Sequence, residues 1–174
     1  ALRDPLTQCH NRRFMDEYLI QLEYQQARKP QHIGFIMADL DHFKMVNDEF
    51  GHLAGDEVLK QLSVLLKQNI RKSDLLIRYG GEEFLIILLD VKDSAAILSI
   101  AEKIRKSVED SKFILPSGGV IRKTLSIGTA EFPKDADHFY QAMKYADVAL
   151  YQAKDRGRNK VIQFLKEMWV DESY

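Results

Sequence analysis

Apolar residues take two kinds of spacing along this chain, and the alternation between them predicts its elements. From Arg12 to Gln26, Phe14, Tyr18, Leu19 and Leu22 share one face at helical spacing, with Asn11 placed to cap the helix. Ile33 to Ala38 is an unbroken apolar run suited to a buried central strand, and it ends at Asp39-Leu40-Asp41. A short helix is expected from His42 to Phe50, stopped by Gly51. Leu53 to Ile70 is strongly amphipathic, with Val58, Leu59, Leu62, Leu65, Leu66 and Ile70 in phase. Leu75-Leu76-Ile77 and Phe84 to Leu89 flank a glycine turn and read as a hairpin. Ala95 to Val108 is another long amphipathic helix. Two strands are expected to flank Gly118-Gly119, the second running from Arg122 to Glu131. Phe139 to Asp155 reads as the last helix, with Gly157 just past its end, and Val161 to Phe164 as a final strand.

Strand, helix, two hairpin strands, helix, strand is the order of a split βαβ unit. The expected fold class is therefore α+β and ferredoxin-like, with an antiparallel-rich central sheet and helices packed on one face. A length of 174 residues fits one domain with a sizeable core. Lysine and arginine number 25 against 26 acids, a net charge of −1, which argues against a dedicated nucleic-acid partner. It leaves room for a local basic pocket. Cys9 is the sole cysteine, so no internal disulfide can form, in keeping with a reducing compartment. No apolar run approaches membrane-spanning length. The chain opens at Ala1 without an initiator methionine, as expected of a segment from a longer protein.

The chemistry concentrates at Gly80-Gly81-Glu82-Glu83-Phe84. Paired glycines let a backbone turn tightly and let a bulky ligand approach. A hairpin tip bearing two carboxylates can hold a hard divalent cation and, through it, a polyphosphate. Asp39 ends the predicted central strand, a natural neighbour of the hairpin, so its carboxylate and those of the tip are expected to converge. Asp41 is expected to cap the short helix. The five histidines are dispersed and suggest no zinc site.

Several motifs then match one family in order and spacing. They are Asp4-Pro5-Leu6-Thr7, Asn11 to Phe14, Asp39-Leu40-Asp41-His42-Phe43-Lys44, Asn47-Asp48, Phe50-Gly51-His52, Gly55-Asp56, Arg78 to Phe84, Ser126-Ile127-Gly128, and Ala146-Asp147 through Lys154 to Asn159. From Asp4 to about Phe164 the chain resembles the GGDEF family of diguanylate cyclases, palm-like nucleotidyltransferases that condense two GTP into cyclic di-GMP and two pyrophosphates. The resemblance implies Mg²⁺ (or Mn²⁺), two ions per site, held by Asp39, the Leu40 carbonyl and Glu82, with Glu83 in or beside that shell. It gives Glu82 and Glu83 the catalytic positions, Glu82 as the usual candidate for general base. Lys44, Lys154 and Arg158, with the backbone N–H groups of His42 and Phe43, match phosphate-binding positions. Asn47 and Asp56 match the guanine-reading positions, where one carboxylate accepts from both N1–H and the N2 amino group. Arg71 and Asp74 fall at an Arg-x-x-Asp position that binds the product as an inhibitor, with Lys103 on the following long helix.

Two departures stand out. Gln8-Cys9 replaces a Gly-Leu pair in the lead-in, and Lys103 replaces an arginine common among relatives. Lysine cannot make a bidentate contact, so weaker product affinity is expected. The resemblance further implies a second copy of the domain for catalysis, a cytoplasmic setting (the parent protein membrane-anchored or not) and an upstream sensor or dimerisation region outside this chain. Residues 1–165 form the expected catalytic domain. Residues 166–174 form a C-terminal extension, either helical or a loose end. The competing reading is a module that binds GTP or cyclic di-GMP without turnover. The retained Asp39, Glu82, Glu83, Lys154 and Arg158 favour the enzyme.

Overall fold

The computed structural model describes residues 1–169. Its centre is β1 (Ile33–Leu40), in which all eight residues are buried. Burial of every position, rather than every second one, means that both sheet faces are covered. β3 (Glu83–Leu88) pairs antiparallel on one side of β1, and β6 (Leu125–Phe132) antiparallel on the other. β2 (Leu75–Arg78) lies outside β3, and β7 (Val161–Gln163) runs parallel outside β6. The five-stranded order is β2-β3-β1-β6-β7.

One face carries Ile36, Ala38, Leu76, Phe84, Ile86, Leu88 and Ile127, buried with apolar residues of α2 (Phe43–Phe50), α3 (His52–Gln68) and α4 (Ser94–Asp110). The opposite face carries Phe35, Met37, Leu75, Ile77, Leu85 and Ile87, buried with residues of α1 (Arg12–Arg28) and α5 (Phe139–Asp155). The split βαβ order is thus as expected, but helices cover two faces rather than one. The crossover helices α3 and α4 share a face, and the appended α1 and α5 cover the other. α5 lies so close to β6 that a Cβ at Gly128 would stand 2.1 Å from Leu150 N and 2.2 Å from the Ala146 carbonyl.

The caps follow local chemistry. The Asn11 side chain accepts from Phe14 N at 2.9 Å, and Asp93 caps α4 through Ala96 N at 2.9 Å. Gly51, at φ +91°, ends α2 and begins α3, a conformation that disfavours any side chain. Around Gly118-Gly119 the strand expectation needs correction. Val120–Ile121 (β5) pairs only with Phe113–Ile114 (β4) in a separate ribbon, and β6 starts at Leu125. Arg122–Thr124, expected as the start of the second strand, is instead irregular backbone between the ribbon and the sheet.

The outer edge of β2 is covered by the N-terminal turn. His10 N donates to the Leu76 carbonyl at 3.2 Å, and Arg78 N to the His10 carbonyl at 2.9 Å. At the other end, Phe164 stacks on Tyr145 (centroids 4.1 Å apart), and Trp169 meets the same ring edge-on. Of the expected C-terminal extension, Lys166–Met168 forms one 3₁₀ turn; the rest, from 170 on, lies outside the described residues.

Candidate active site

Register brings the acids together. Asp39 is the cross-strand partner of Glu83, so both side chains leave the same sheet face. That face is covered by α5, which adds Asp147 and, seven residues and two turns on, Lys154. Lys154 Nζ donates to Asp39 Oδ2 at 2.5 Å. Asp39 also shares a hydrogen bond with Glu82 at the turn. Burial raises the Asp39 carboxyl above its ordinary range despite the lysine. Burial and then Asp39 raise Glu82. Burial, with Asp147 and Asp39 adding to it, raises Glu83 to about 7. Asp147 is raised by burial too. Four carboxyls thus face Lys154, with Arg12 adding its charge at Glu83.

That surplus of hard oxygen donors suits a divalent cation. The Asp39–Glu82 contact needs either a proton or a cation between its oxygens. Among the described residues no group of three or more His, Cys, Asp or Glu already stands in metal-holding geometry. Leu40, whose carbonyl is the remaining expected ligand, closes β1 at the next position.

A pocket of about 320 Å³ opens on the other side of the hairpin tip, lined by Phe43, Lys44, Asn47, Asp56, Arg78 and Glu82, with His52, Leu59 and Gly81 completing it. Here α2 lies against the first turn of α3. The contact is close enough that a Cβ at Gly55 would fall 1.9 Å from Asn47 Oδ1. Glycine at 55 therefore lets Asn47 lean across beside Asp56. His42 precedes α2 in the left-handed region, at φ +57°.

The tip is braced from below. The Arg78 guanidinium pairs with Asp4 at 3.0 Å and donates to the Gly81 carbonyl at 2.7 Å. Arg12 lies 4.1 Å from the centre of the Tyr79 ring. Tyr79 N and Gly80 N both donate to the Glu83 carbonyl, at 2.8 and 3.0 Å, which closes the turn.

Asp41 is not the helix cap expected. It is buried, and its carboxylate accepts from Ser126 Oγ at 2.6 Å, Thr124 Oγ1 at 2.7 Å and Asn159 N at 3.0 Å. It ties the end of β1 to the start of β6 and to the loop after α5. That loop carries Arg158, whose side chain is exposed.

Arg71 and Asp74 adjoin a separate cavity of about 400 Å³, lined also by Arg3, Thr7, Cys9, His10, Lys67 and Lys72. Asp74 is already engaged, accepting within its own loop from Arg71 N at 2.8 Å and Arg71 Nε at 3.1 Å, and from Leu89 N just past β3 at 3.2 Å. Arg71 also donates to the Leu89 carbonyl. Lys103 is exposed on α4 and does not line this cavity.

Sequence reasoning gave no role to Asp147, Arg78, Asp4 or Asn159. Asp147 was legible as the residue two turns before Lys154. Arg78 and Asp4 pair across 74 residues, and no local pattern announces such a bond.

The family model for the diguanylate cyclase GGDEF domain matches residues 1–160. DgcT of Escherichia coli K12, a probable diguanylate cyclase, is 42% identical over 164 residues, or 93% of this chain and 35% of DgcT. The chain spans less than half the length of the curated relatives it matches. Among solved structures, the GGDEF domain of YfiN (TpbB) from Pseudomonas aeruginosa PAO1 superposes with a TM-score of 0.89 at 32% identity, covering 95% of this chain and 96% of that one. The GGDEF domain of DgcB from Caulobacter crescentus, in complex with c-di-GMP, gives 0.86 at 31% identity, covering 94% and 95%.

Proposed function

The chain belongs to the GGDEF family of diguanylate cyclase domains, and from that premise we propose that it condenses two GTP molecules into cyclic di-GMP with release of two pyrophosphates. The position of Glu82 carries this reading. It lines the pocket that holds Asn47 and Asp56, and it touches Asp39 among the acids. A guanine in the pocket would have its phosphates at the acid cluster.

In this reading Asp56 accepts from guanine N1–H and N2, and Asn47 completes the edge. Adenine would set a ring acceptor against the carboxylate and leave buried groups unpaired. Asp39, the Leu40 carbonyl and Glu82 would hold Mg²⁺ or Mn²⁺, two per site, with Glu83 beside them. The bound cations would supply charge neutralisation at the phosphates and a lower pKa for the attacking 3′-hydroxyl. Lys44, Arg158 and the N–H groups of His42 and Phe43 meet phosphate oxygens, Arg158 where charge grows on the leaving pyrophosphate. Lys154 exchanges its hold on Asp39 for phosphate when the cluster is neutralised. Glu82 is the candidate base.

One domain offers one guanine pocket, whereas the product holds two guanylates. Two copies must face each other about a two-fold axis. An upstream region outside this chain would raise the effective concentration of one copy beside another. Product binds as inhibitor beside Arg71 and Asp74; that the similar DgcB domain is solved in complex with c-di-GMP supports product binding by such a domain. Asp74 holds Arg71 in place there, while Lys103 lies outside that cavity and would reach product only as a single-point contact from elsewhere on α4. A GTP substrate is in keeping with a cytoplasmic setting for the domain. No described helix is long and apolar enough to cross a membrane.

Incubation with GTP and Mg²⁺, followed by chromatography, should yield cyclic di-GMP and pyrophosphate at a rate per domain that rises with protein concentration. No product at any concentration would refute the reading. A rate per domain unchanged over about a hundredfold dilution of a monomer would refute the two-copy arrangement. Asp56→Ala should erode the preference for GTP over ATP by about 1–3 kcal/mol. Equal rates with both nucleotides in the unmodified chain would remove Asp56 from this role.

A further inference from the structure

The turn after α5 holds three consecutive left-handed residues, Gly157, Arg158 and Asn159, at φ +113°, +65° and +47°. Two of them carry a Cβ, so this conformation persists only where the surroundings over-determine it. The surroundings are specific. Arg158 N donates to the Ala153 carbonyl at 2.9 Å. Asn159 is gripped from both ends. Its backbone N–H donates to Asp41 at 3.0 Å; its side-chain Oδ1 accepts from Arg105 Nη1 at 2.8 Å, and its Nδ2 donates to Glu109 Oε2 at 2.5 Å.

Arg105 is itself fixed. Its guanidinium holds Glu102 at 2.8 and 2.5 Å and Glu109 at 3.3 Å, with its side chain 15% exposed. Neighbouring charges one turn apart on a helix usually form a solvated face worth little. Here they converge on an amide 50 and 54 residues away in sequence, whose oxygen accepts from Arg105 and whose nitrogen donates to Glu109. The turn is clamped between the β1–β6 edge, through Asp41, and α4, through Arg105 and Glu109. Arg158 in this turn is exposed, as is Arg156 before it.

We propose, resting on the reading of Arg158 as a phosphate contact, that Arg105 and Glu109 of α4 are positioning residues for the reaction: they hold Asn159, and Asn159 fixes the turn that aims Arg158. A guanidinium that must meet charge growing on a leaving group gains from being oriented beforehand, and a displacement of about 1 Å at such a group can slow a reaction up to a hundredfold. Arg105 is barred from that contact itself, because two carboxylates and an amide occupy it. α4 thereby becomes part of the catalytic machinery without touching substrate.

The test uses the 174-residue chain with Arg105→Ala, Arg105→Lys, Arg158→Ala and the Arg105→Ala/Arg158→Ala double variant. Hydrogen exchange at the Asn159 backbone amide should quicken about tenfold or more in Arg105→Ala while the sheet amides stay protected. Unchanged exchange there overturns the proposal. In GTP turnover, Arg105→Ala should lower kcat roughly ten- to a hundredfold with KM within about threefold. Arg105→Lys, which keeps one donor for Asn159, should recover part of that loss. In the Arg158→Ala background Arg105→Ala should cost nothing further, because its effect runs through Arg158. Additive losses, or a loss of turnover that tracks a fall in melting temperature, overturn it. If Arg105→Ala does not fold, Arg105→Lys carries the same cycle. Absence of product from the unmodified chain would instead sink the functional reading, and amide exchange would still decide whether the clamp holds the turn.

Discussion

Asp39 and Asp41 stand two residues apart at the end of β1, both buried, and they live in opposite circumstances. Asp41 is saturated: two hydroxyls and an amide N–H point at it, and it fastens three segments together. Asp39 is contested: one lysine holds it, while Glu82, Glu83 and Asp147 crowd the same space and its carboxyl is driven upward by burial. A satisfied buried carboxylate is a structural joint. An unsatisfied cluster of them is a charge waiting for a ligand. The difference separates what builds the domain from what the domain does, within one dipeptide step of backbone.

The comparison breaks most sharply by mutation at Asp39. Asp39→Ala should lower cyclic di-GMP synthesis by about a hundredfold or more while leaving thermal unfolding close to that of the unmodified chain. Near-normal turnover would show that Asp39 is no part of the site. Asp41→Ala should do the reverse first: it strands two hydroxyls and an N–H, and chemical denaturation should reveal a loss of about 3 kcal/mol. Should Asp41→Ala fold with full stability, the joint would be imaginary and the contrast with it.

A smaller effect follows from pH. Glu83 sits at about 7 in the fold and near 4.5 when unfolded, so the folded state keeps a proton that the unfolded state releases. Without divalent cation, stability attributable to this group is present below pH 4.5 and is lost as pH rises through about 7. Melting curves in chelator between those values should show the decline, and Glu83→Gln should flatten it. A stability rising across that window in chelator and indifferent to Glu83→Gln would contradict the crowding described for the cluster.

Much of this was legible in the order of residues. The unbroken run Ile33 to Ala38 announced a buried central strand, and helical spacing placed α1, α3, α4 and α5 within a few residues of their bounds. The convergence of Asp39 with the hairpin acids was also readable, because an apolar strand ending in an acid and a glycine turn carrying two more have one natural pairing. What escaped were long-range bonds and tertiary override. Asp41 had the spacing of a cap, yet the hydroxyls of Thr124 and Ser126, more than eighty positions on, claimed it. Arg122 to Thr124 was expected to open a strand, yet β6 starts only at Leu125. The second helical face was missed because amphipathic stripes on α1 and α5 say that they bury something, not which side of the sheet they reach.

The N-terminal turn has one more consequence. By lending His10 to Leu76 and Arg78, it occupies hydrogen-bonding groups along the outer margin of β2 that would otherwise stand bare. A strand with a bare margin is a template on which any other strand can add itself. Trimming the chain past His10 would turn that margin into an adhesive seam, so two trimmed molecules would join strand to strand, side by side. Such a pair would be tight and useless, its guanine pockets held in fixed orientation by a contact unrelated to the one that brings two substrates together. The first ten residues thus act as a selvedge: they keep the sheet from growing, and leave the choice of neighbour to the surface where the chemistry is.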